Sequence, residues 1–309
     1  MTESFSPSAP AAPDYRKTLS RVGWGMAVFF AAGQLGQILV AFVLRLLAPD
    51  FAATALALFL ITDLGLYGIG LPLAFLVVRR LPRCAPPLRD KGGLALTLRT
   101  LVMGFCVMYL ANFLTLMLMQ LVTWLKGASV TNPLQTAASA GNPLLNVLML
   151  CVVPAVCEEL VFRAGMYRLT AGLGARVYVA VSAVCFALFH GNLYQIFYAF
   201  ALGVLLAYLY LRTGKIALCM AVHFCINLMG TVAAMYLASS VAGATLLGLF
   251  VLVCIAAGLV LLALEIRRGG FSLPPCALPP HPVRAALFTW GMGAFVLLAL
   301  LVALLLVLV

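Results

Sequence analysis

Residues 143–169 read PLLNVLMLCVVPAVCEELVFRAGMYRL, an apolar stretch that contains two adjacent glutamates, Glu158 and Glu159. A helix needs about 20 consecutive, mostly apolar residues to cross the hydrocarbon core of a bilayer. This stretch meets that length, and eight further stretches share its composition. The nine predicted spans cover residues 22–47, 53–78, 98–125, 143–169, 176–192, 193–211, 215–237, 242–264 and 286–309. Because the fifth is short and ends in polar residues, the sequence predicts an all-α, polytopic transmembrane helical bundle of eight to nine spans.

The composition excludes a soluble protein. Of the 309 residues, 65% are hydrophobic and 9% are charged, and the mean hydropathy is +1.16. A soluble globular protein has about 25% charged residues. The 8 acidic and 19 basic side chains cannot cover the surface of a soluble core of this size, so lipid must contact most of the surface. We therefore predict an integral, multi-pass membrane protein.

The net charge of +11 is explained by where the basic residues lie along the chain. In the nine-span arrangement, sixteen of the 19 Lys and Arg residues lie on one side of the membrane, Arg45 and Lys126 lie on the other, and Arg163 lies within a span. Loops rich in Lys and Arg face the cytoplasm, so we predict a cytoplasmic N-terminus and expect no nucleic-acid partner. The basic loop at residues 79–91 also favours contact with anionic membrane lipid, at about 1 kcal/mol per residue near the surface.

Three acidic residues lie well inside predicted spans: Asp63, Glu158 and Glu159. A carboxylate near the bilayer centre costs about 2.5 to 3.5 kcal/mol on insertion scales, so each indicates a site with a partner. Glu159 and Arg163 are spaced i, i+4 on one helix face, which predicts a structural ion pair. Glu158 is rotated by about 100° and has no cation within helical reach, so we expect it to act as a general base. The role of Asp63 stays open between a hydrogen bond within the bundle and a part in the site.

Two histidines and an asparagine add to this polar set. His190 ends the fifth span, and His223 is followed four residues later by Asn227 on the same face of the seventh span. At about 1.5 Å per residue, these three residues and Glu158 lie about 12 to 21 Å from the cytoplasmic ends of their spans. A carboxylate, two imidazoles and an amide at similar depth provide the base, the second proton carrier and the hydrogen-bond donors that hydrolysis by water requires. We therefore predict a catalytic site within the membrane.

Three motifs carry these residues, in the order EELVFR at 158–163, FALFH at 186–190 and HFCIN at 223–227. They resemble the EExxxR, FxxxH and HxxxN motifs of the CPBP family (CAAX proteases and bacteriocin-processing enzymes, or Abi), which includes the Rce1-type prenyl endopeptidases. The resemblance covers roughly residues 143 to 230. Ala164 stands where a glycine often follows the arginine, and the Thr213-Gly214-Lys215 turn is typical of bacterial members.

The resemblance implies an intramembrane endopeptidase similar to the CAAX prenyl proteases, in the inner (plasma) membrane of a bacterium. It implies that Glu158 and His190 activate the water that attacks the peptide carbonyl. It also implies that His223 and Asn227 stabilise the oxyanion. The expected substrate is a membrane-associated protein or peptide, prenylated or not, and we expect cleavage in the cytoplasmic half of the membrane.

The resemblance leaves the use of a metal open. Family members are often named metalloproteases, and Glu158, His190 and His223 are chemically adequate zinc ligands. The Rce1-type enzymes, however, are understood as metal-independent glutamate proteases, so we expect no cofactor. An alternative to catalysis also stays open: a catalytically silent membrane protein that binds and sequesters a peptide or bacteriocin, as an immunity protein does.

The motifs divide the chain into four predicted parts. These are a disordered cytoplasmic tail at residues 1–21, transmembrane helices one to three at 22–142, a catalytic helical core at 143–237 and C-terminal transmembrane helices at 238–309. Only the third part carries motifs, so we place the catalytic site there.

Overall fold

The computed structural model describes residues 14–87, 93–273 and 282–308. In these ranges the chain is helical and contains no β-strand, which confirms the all-α fold. Within the described residues, nine main helices form the bundle. They are α1 (Tyr15–Leu47), α2 (Ala55–Val78), α3 (Leu94–Lys126), α4 (Pro143–Leu173), α5 (Ala175–Phe189), α6 (Leu193–Thr213), α7 (Ile216–Leu237), α8 (Val241–Arg267) and α9 (Trp290–Leu308). Short helices at Pro49–Ala52, Pro133–Ala140 and Pro282–Leu287 lie in the connections.

The helix lengths agree with the prediction of eight to nine spans. Eight of the described helices are long and apolar enough to cross a bilayer, and α5, with 15 residues, is the shorter one. Large apolar side chains cover the outside of the bundle; Phe113 and Leu252, for example, are 64% and 65% exposed. Water does not tolerate a continuous apolar surface of this kind, so these faces contact lipid. The chain is an integral membrane protein.

Two polar contacts establish the direction of the helices. Arg99, near the start of α3, pairs with Glu265, near the end of α8, at 3.2 Å between Nη1 and Oε2. Lys126, at the end of α3, donates from Nζ to the carbonyl oxygen of Val307 at the end of α9, at 2.8 Å. Helices α3 and α9 therefore run the same way and α8 runs against them, as nine alternating helices require. We call the end that holds Arg99 and Glu265 the arginine-rich end, and the end that holds Lys126 the arginine-poor end.

The first helix begins before the predicted boundary. Residues 1–13 of the predicted tail lie outside the described residues, but α1 already starts at Tyr15 rather than at residue 22. The reason is a helix cap: the carboxylate of Asp14 accepts hydrogen bonds from the backbone N–H groups of Arg16 and Lys17. Such a cap satisfies N–H groups that the first helical turn leaves without partners.

Helices α5 and α6 form a tight hairpin whose turn lies at residues 190–192. Gly191 has a positive φ of 60°, which a residue without a Cβ adopts at no steric cost. Further along, a Cβ at Gly203 would lie only 2.9 Å from Cα of Ala183, so the two helices approach closely. Because α5 is short, this hairpin turns inside the bundle and leaves His190 next to α4 and α7.

Helix α4 contacts α5, α6 and α7. Four π-helical turns occur in the described helices: Leu64–Gly70 in α2, Val147–Val152 and Glu159–Gly165 in α4, and Leu228–Ala233 in α7. In a π turn the backbone hydrogen bond joins residues i and i+5 instead of i and i+4. Such turns are rare and often occur at functional sites. Three of the four, those in α2 and α7 and the second one in α4, adjoin or contain the polar residues that the sequence singled out.

Candidate active site

Three buried side chains form the inner part of the polar cluster. Oε2 of Glu159 lies 3.0 Å from Nε of Arg163, so the predicted i, i+4 ion pair is present. The other carboxylate oxygen, Oε1, lies 2.9 Å from Nδ1 of His223 on α7. An ionised carboxylate only accepts hydrogen bonds, so Nδ1 of His223 donates this one. The side chains of Glu159 and Arg163 are fully buried and that of His223 is 3% exposed, and we call these three residues the buried layer.

Phe186, the first residue of the second motif, completes the surroundings of Arg163. The centre of the guanidinium lies 4.3 Å from the centroid of the Phe186 ring, which is a cation–π contact. The terminal nitrogens Nη1 and Nη2 donate to no described residue, so the ring face is the principal contact on that side. The same ring meets the imidazoles of His190 and His223 edge to face, at 5.0 and 5.7 Å between centroids. Phe186 therefore packs against all three positively chargeable side chains of the site.

Glu158 differs from its neighbour in what can reach it. Its Oε2 atom lies 3.7 Å from Nε2 of His223, and 12% of its side chain stays exposed. Although the two glutamates leave α4 in different directions, both therefore face His223. The imidazole makes this arrangement possible because its two nitrogens point to different sides of the ring. His223 is held by Glu159 through one nitrogen and turns the other towards Glu158.

His190 is fixed by the last turn of α5. Its Nδ1 atom lies 2.8 Å from the carbonyl oxygen of Phe186, four residues earlier. A carbonyl oxygen can only accept, so Nδ1 carries the hydrogen, and in the neutral ring Nε2 keeps its lone pair. No hydrogen bond or ion pair joins His190 to Glu158 among the contacts that the structure describes, but the two groups lie within electrostatic range of each other. His190 thus borders the site without direct contact to the carboxylate.

Asn227 is joined to the backbone of α4. Its Nδ2 atom donates to the carbonyl oxygen of Leu150 at 3.1 Å. In an α-helix that carbonyl would accept from the N–H of residue 154, but Pro154 has none. The amide of Asn227 donates to this carbonyl and so fastens α7 to α4. One hydrogen of the amide remains for another acceptor.

The structure adds a residue that the sequence did not single out as part of the site. Tyr67, from α2, lies with its hydroxyl 3.5 Å from Oε1 of Glu158 and donates to it. Asp63, one helical turn before Tyr67, lies within electrostatic range of Glu158. The signal in the sequence was the spacing of Asp63 and Tyr67 on one face of a predicted span. That spacing does not say which other helix this face contacts.

The three residues predicted as alternative zinc ligands do not form a metal-binding group. Among residues 14–87, 93–273 and 282–308, no set of three or more His, Cys, Asp or Glu side chains is arranged to hold a metal ion. Nδ1 of His223 donates to Glu159 and Nδ1 of His190 donates to the carbonyl oxygen of Phe186, so each ring keeps Nε2 for another partner. The reaction proposed for this site uses no metal.

Comparison with known families agrees with the motifs. The family model described as type II CAAX prenyl endopeptidase Rce1-like matches residues 140–229, a range that contains all three motifs and the hairpin of α5 and α6. Comparisons with curated proteins and with solved structures gave no significant match. The matched range, the helical fold and the cluster of motif residues agree with one another, and together they support the assignment of residues 140–229 as a CPBP, Rce1-like region.

Proposed function

We propose that this protein is an intramembrane endopeptidase that hydrolyses a peptide bond with a water activated by Glu158 and His190. The observation that carries the proposal is the contrast within one turn of α4. Glu159 is fully buried and doubly paired, whereas Glu158 is partly exposed and has only long contacts, at 3.5 and 3.7 Å. A carboxylate that a small molecule can reach, and whose lone pairs are not fully used, is suited to act as a general base.

The proposed reaction needs only water, the substrate and residues of this chain. Glu158 accepts a proton from water while the water oxygen forms a bond to the carbonyl carbon of the substrate. His190 accepts a hydrogen bond from that water through the lone pair on Nε2. The C–N bond then breaks, and the proton held by Glu158 passes to the leaving amine. This exchange of base and acid roles by one carboxyl group needs no further reactant.

The oxyanion of the tetrahedral intermediate needs donors. Nε2 of His223, when protonated, and the remaining N–H of Asn227 are the donors that we propose for it. The buried layer supports this role because Glu159 fixes the His223 ring through Nδ1 and leaves Nε2 directed towards Glu158. Arg163 in turn balances the charge of Glu159. A charged residue left alone in a membrane interior is strongly unfavourable, which accounts for the pairing of all three.

An apolar cavity beside α4 supports a lipid-attached or strongly hydrophobic substrate. It has a volume of about 900 Å³ and lies between α1, the second half of α2 and the α4 turn that follows the glutamates. Phe29, Leu71 and Val161 contribute to its inner wall, and Arg83 and Arg168 lie at the arginine-rich end. We propose that it receives the hydrophobic part of a membrane-associated protein or peptide, of which a prenyl group is one form.

A comparison of protein termini tests the function. Membranes are prepared from cells that carry the intact chain, a deletion, Glu158→Gln or Glu265→Gln at equal expression. New N- and C-termini are expected with the intact chain and with Glu265→Gln, and they should be absent from the other two. Glu265→Gln is the matched control because it removes a paired carboxylate at the end of α8 whose partner, Arg99, is 37% exposed and can be solvated by water.

Retention of the termini by Glu158→Gln would exclude the proposed chemistry. A different outcome would favour the binding protein: no new termini appear with the intact chain, its deletion has a phenotype, and expression of Glu158→Gln restores the normal phenotype. The protein would then bind a peptide without cleaving it. Metal analysis of the purified protein is a separate test. We expect no stoichiometric zinc, and zinc that is present and lost in His190→Ala would contradict the metal-free reaction.

A further inference from the structure

A second cavity lies on the other side of the candidate site, and eight of the thirteen described residues that line it have polar side chains. It has a volume of about 200 Å³ and lies between α3, the start of α6, the second half of α7 and the connection from α3 to α4. Four carboxamides and four hydroxyl groups line it. They belong to Asn112, Thr115, Asn132, Tyr194, Gln195, Tyr198, Asn227 and Thr231. We call this space the polar cavity.

The polar cavity reaches the candidate site at three points. Asn227 belongs to both. Tyr198 lines the cavity, and its ring packs against the imidazole of His190 at 6.4 Å between centroids. Gln195 also lines it and accepts from Nδ2 of Asn192, which donates as well to the carbonyl oxygen of His190. The inner end of the cavity therefore adjoins both His190 and Asn227.

The other end of the cavity lies at the arginine-poor end of the bundle. Asn132 and Leu134 form its outer wall, and the residues beside them, Thr131 and Pro133, are exposed. Thr115 and Asn227 lie about 15 to 17 Å from the arginine-poor ends of α3 and α7, at 1.5 Å per residue. The cavity therefore extends from the connection between α3 and α4 to the level of the candidate site.

The chemistry of the lining indicates what the cavity holds. Each ordered water occupies roughly 30 Å³ of liquid volume and needs two to four polar partners, so the space admits several waters. Apolar cavities, such as the one beside α4, stay free of water by the same reasoning. No charged side chain is among the described residues that line the polar cavity, while carboxamides and hydroxyls both donate and accept. These groups complement an uncharged peptide backbone.

Resting on the proteolytic function proposed above, we propose that the polar cavity is the aqueous entrance of the active site and that the scissile segment of the substrate enters from the arginine-poor face. By the distribution of basic residues this face is extracytoplasmic, so the substrate class is a peptide or membrane protein with its cleavage site towards the extracytoplasmic side. This differs from the cytoplasmic half expected from the sequence. Hydrolysis within a membrane requires a path for water, and polar lining is tolerated at that depth only where it is buried in protein or meets water.

Cysteine accessibility tests the entrance without any need for a substrate. Asn112→Cys and Thr231→Cys place a thiol in the polar cavity, and Phe113→Cys places one at the same depth on the lipid face, where Phe113 is 64% exposed. The probe is a membrane-impermeant, cationic methanethiosulfonate added to right-side-out or inside-out membrane vesicles. Arg80→Cys, at the arginine-rich end, reports the orientation of the vesicles, and the unsubstituted chain gives the background of its own cysteines.

The expected result is labelling of both cavity thiols from the face opposite to Arg80→Cys. It should be at least about ten-fold faster than labelling of Phe113→Cys, because the reactive thiolate forms where water reaches the sulfur. Labelling from the same face as Arg80→Cys, or rates equal to that of Phe113→Cys, would overturn the proposal. Because the probe reports access and not cleavage, either failure is distinct from retention of cleavage by Glu158→Gln.

A second measurement separates an entrance from a water pocket. With the substrate identified from the protein termini, the methanethiosulfonate adduct on Thr231→Cys should reduce cleavage at least about ten-fold, since it fills the path to the site. A reducing agent should remove the adduct and restore cleavage. Unchanged cleavage by the fully labelled protein would show that the substrate enters elsewhere and would overturn the proposal.

Discussion

The two adjacent glutamates of α4 face the same histidine but lie in different environments. Glu159 belongs to the buried layer, where both of its oxygens have charged or chargeable partners at 3.0 Å or less. Glu158 is partly exposed, and its contacts, with His223 and Tyr67, are longer. The difference separates two tasks that one carboxylate cannot perform together. A group that fixes an imidazole ring needs full pairing, whereas a group that accepts a proton from water needs access.

The largest effect is expected from Glu158→Gln. The amide keeps the size of the side chain and can accept from Tyr67, but it cannot act as a base at neutral pH. Cleavage of the identified substrate should fall by about 10²- to 10⁴-fold, the usual contribution of general acid–base catalysis. The rate is measured with purified protein in detergent or lipid. The melting temperature should stay close to that of the unsubstituted chain, because Glu158 has no short ion pair among its described contacts. Full activity in the variant would remove the distinction between the two glutamates.

The next effect is expected from Arg163→Met, and it should appear in stability. This change leaves the charge of Glu159 buried with only His223 as its partner and also removes the contact with Phe186. Breaking a buried ion pair by removing one partner destabilises a protein by about 3 to 5 kcal/mol. Thermal unfolding in detergent measures the loss of stability of Arg163→Met as a lower melting temperature. The matched variant Arg99→Met breaks the more exposed pair with Glu265 and should lower the melting temperature much less. Equal shifts in both variants would contradict the buried layer as a stabilising unit.

The contacts that the sequence predicted are local. The span lengths follow from about 20 apolar residues per crossing, and the Glu159–Arg163 pair follows from the spacing within one helix. The early start of α1 was also readable, because Asp14 stands at the position of a helix cap, but the apolar pattern drew the boundary at residue 22.

The contacts that the sequence did not predict join distant parts of the chain. His223 and Glu159 are separated by 64 positions, and Tyr67 and Glu158 by 91. Helical periodicity gives the face of each helix but not the neighbour it meets, since that depends on how the helices cross. The ring of Phe186 could be assigned to its motif, yet its position over Arg163 became evident only from the packing of α5 against α4. The polar cavity could not be predicted from the sequence for the same reason, since it lies between helices.

A smaller effect on stability is expected from Phe186→Leu. Leucine keeps an apolar side chain but has no π face for the guanidinium, and a desolvated cation–π contact contributes about 2 kcal/mol. Phe162→Leu is the matched control, because Phe162 is equally buried and also lies in the aromatic cluster with Phe186 and Phe189. In thermal unfolding, Phe186→Leu should lower the melting temperature more than Phe162→Leu does. This difference between the two variants should vanish in an Arg163→Met background. An excess that persists there would mean that Phe186 acts through packing alone.

The smallest effect is expected from Tyr67→Phe, which tests whether α2 helps to orient the reactive glutamate, Glu158. The variant removes only the hydroxyl that donates to Oε1 of Glu158, and the contact is long, at 3.5 Å. A hydrogen bond of this kind contributes about 1 kcal/mol, which corresponds to about a five-fold change in rate. We expect kcat to fall by that factor with little change in KM or melting temperature, because the hydroxyl orients the base rather than the substrate. Tyr109→Phe is the control, since the hydroxyl of Tyr109 is buried on α3 without a hydrogen-bond partner among the described residues. If Tyr67→Phe and Tyr109→Phe have the same activity, Glu158 is oriented by His223 alone, and the site is confined to residues 140–229. If only Tyr67→Phe slows the reaction, the first two helices belong to the catalytic unit although they carry no motif.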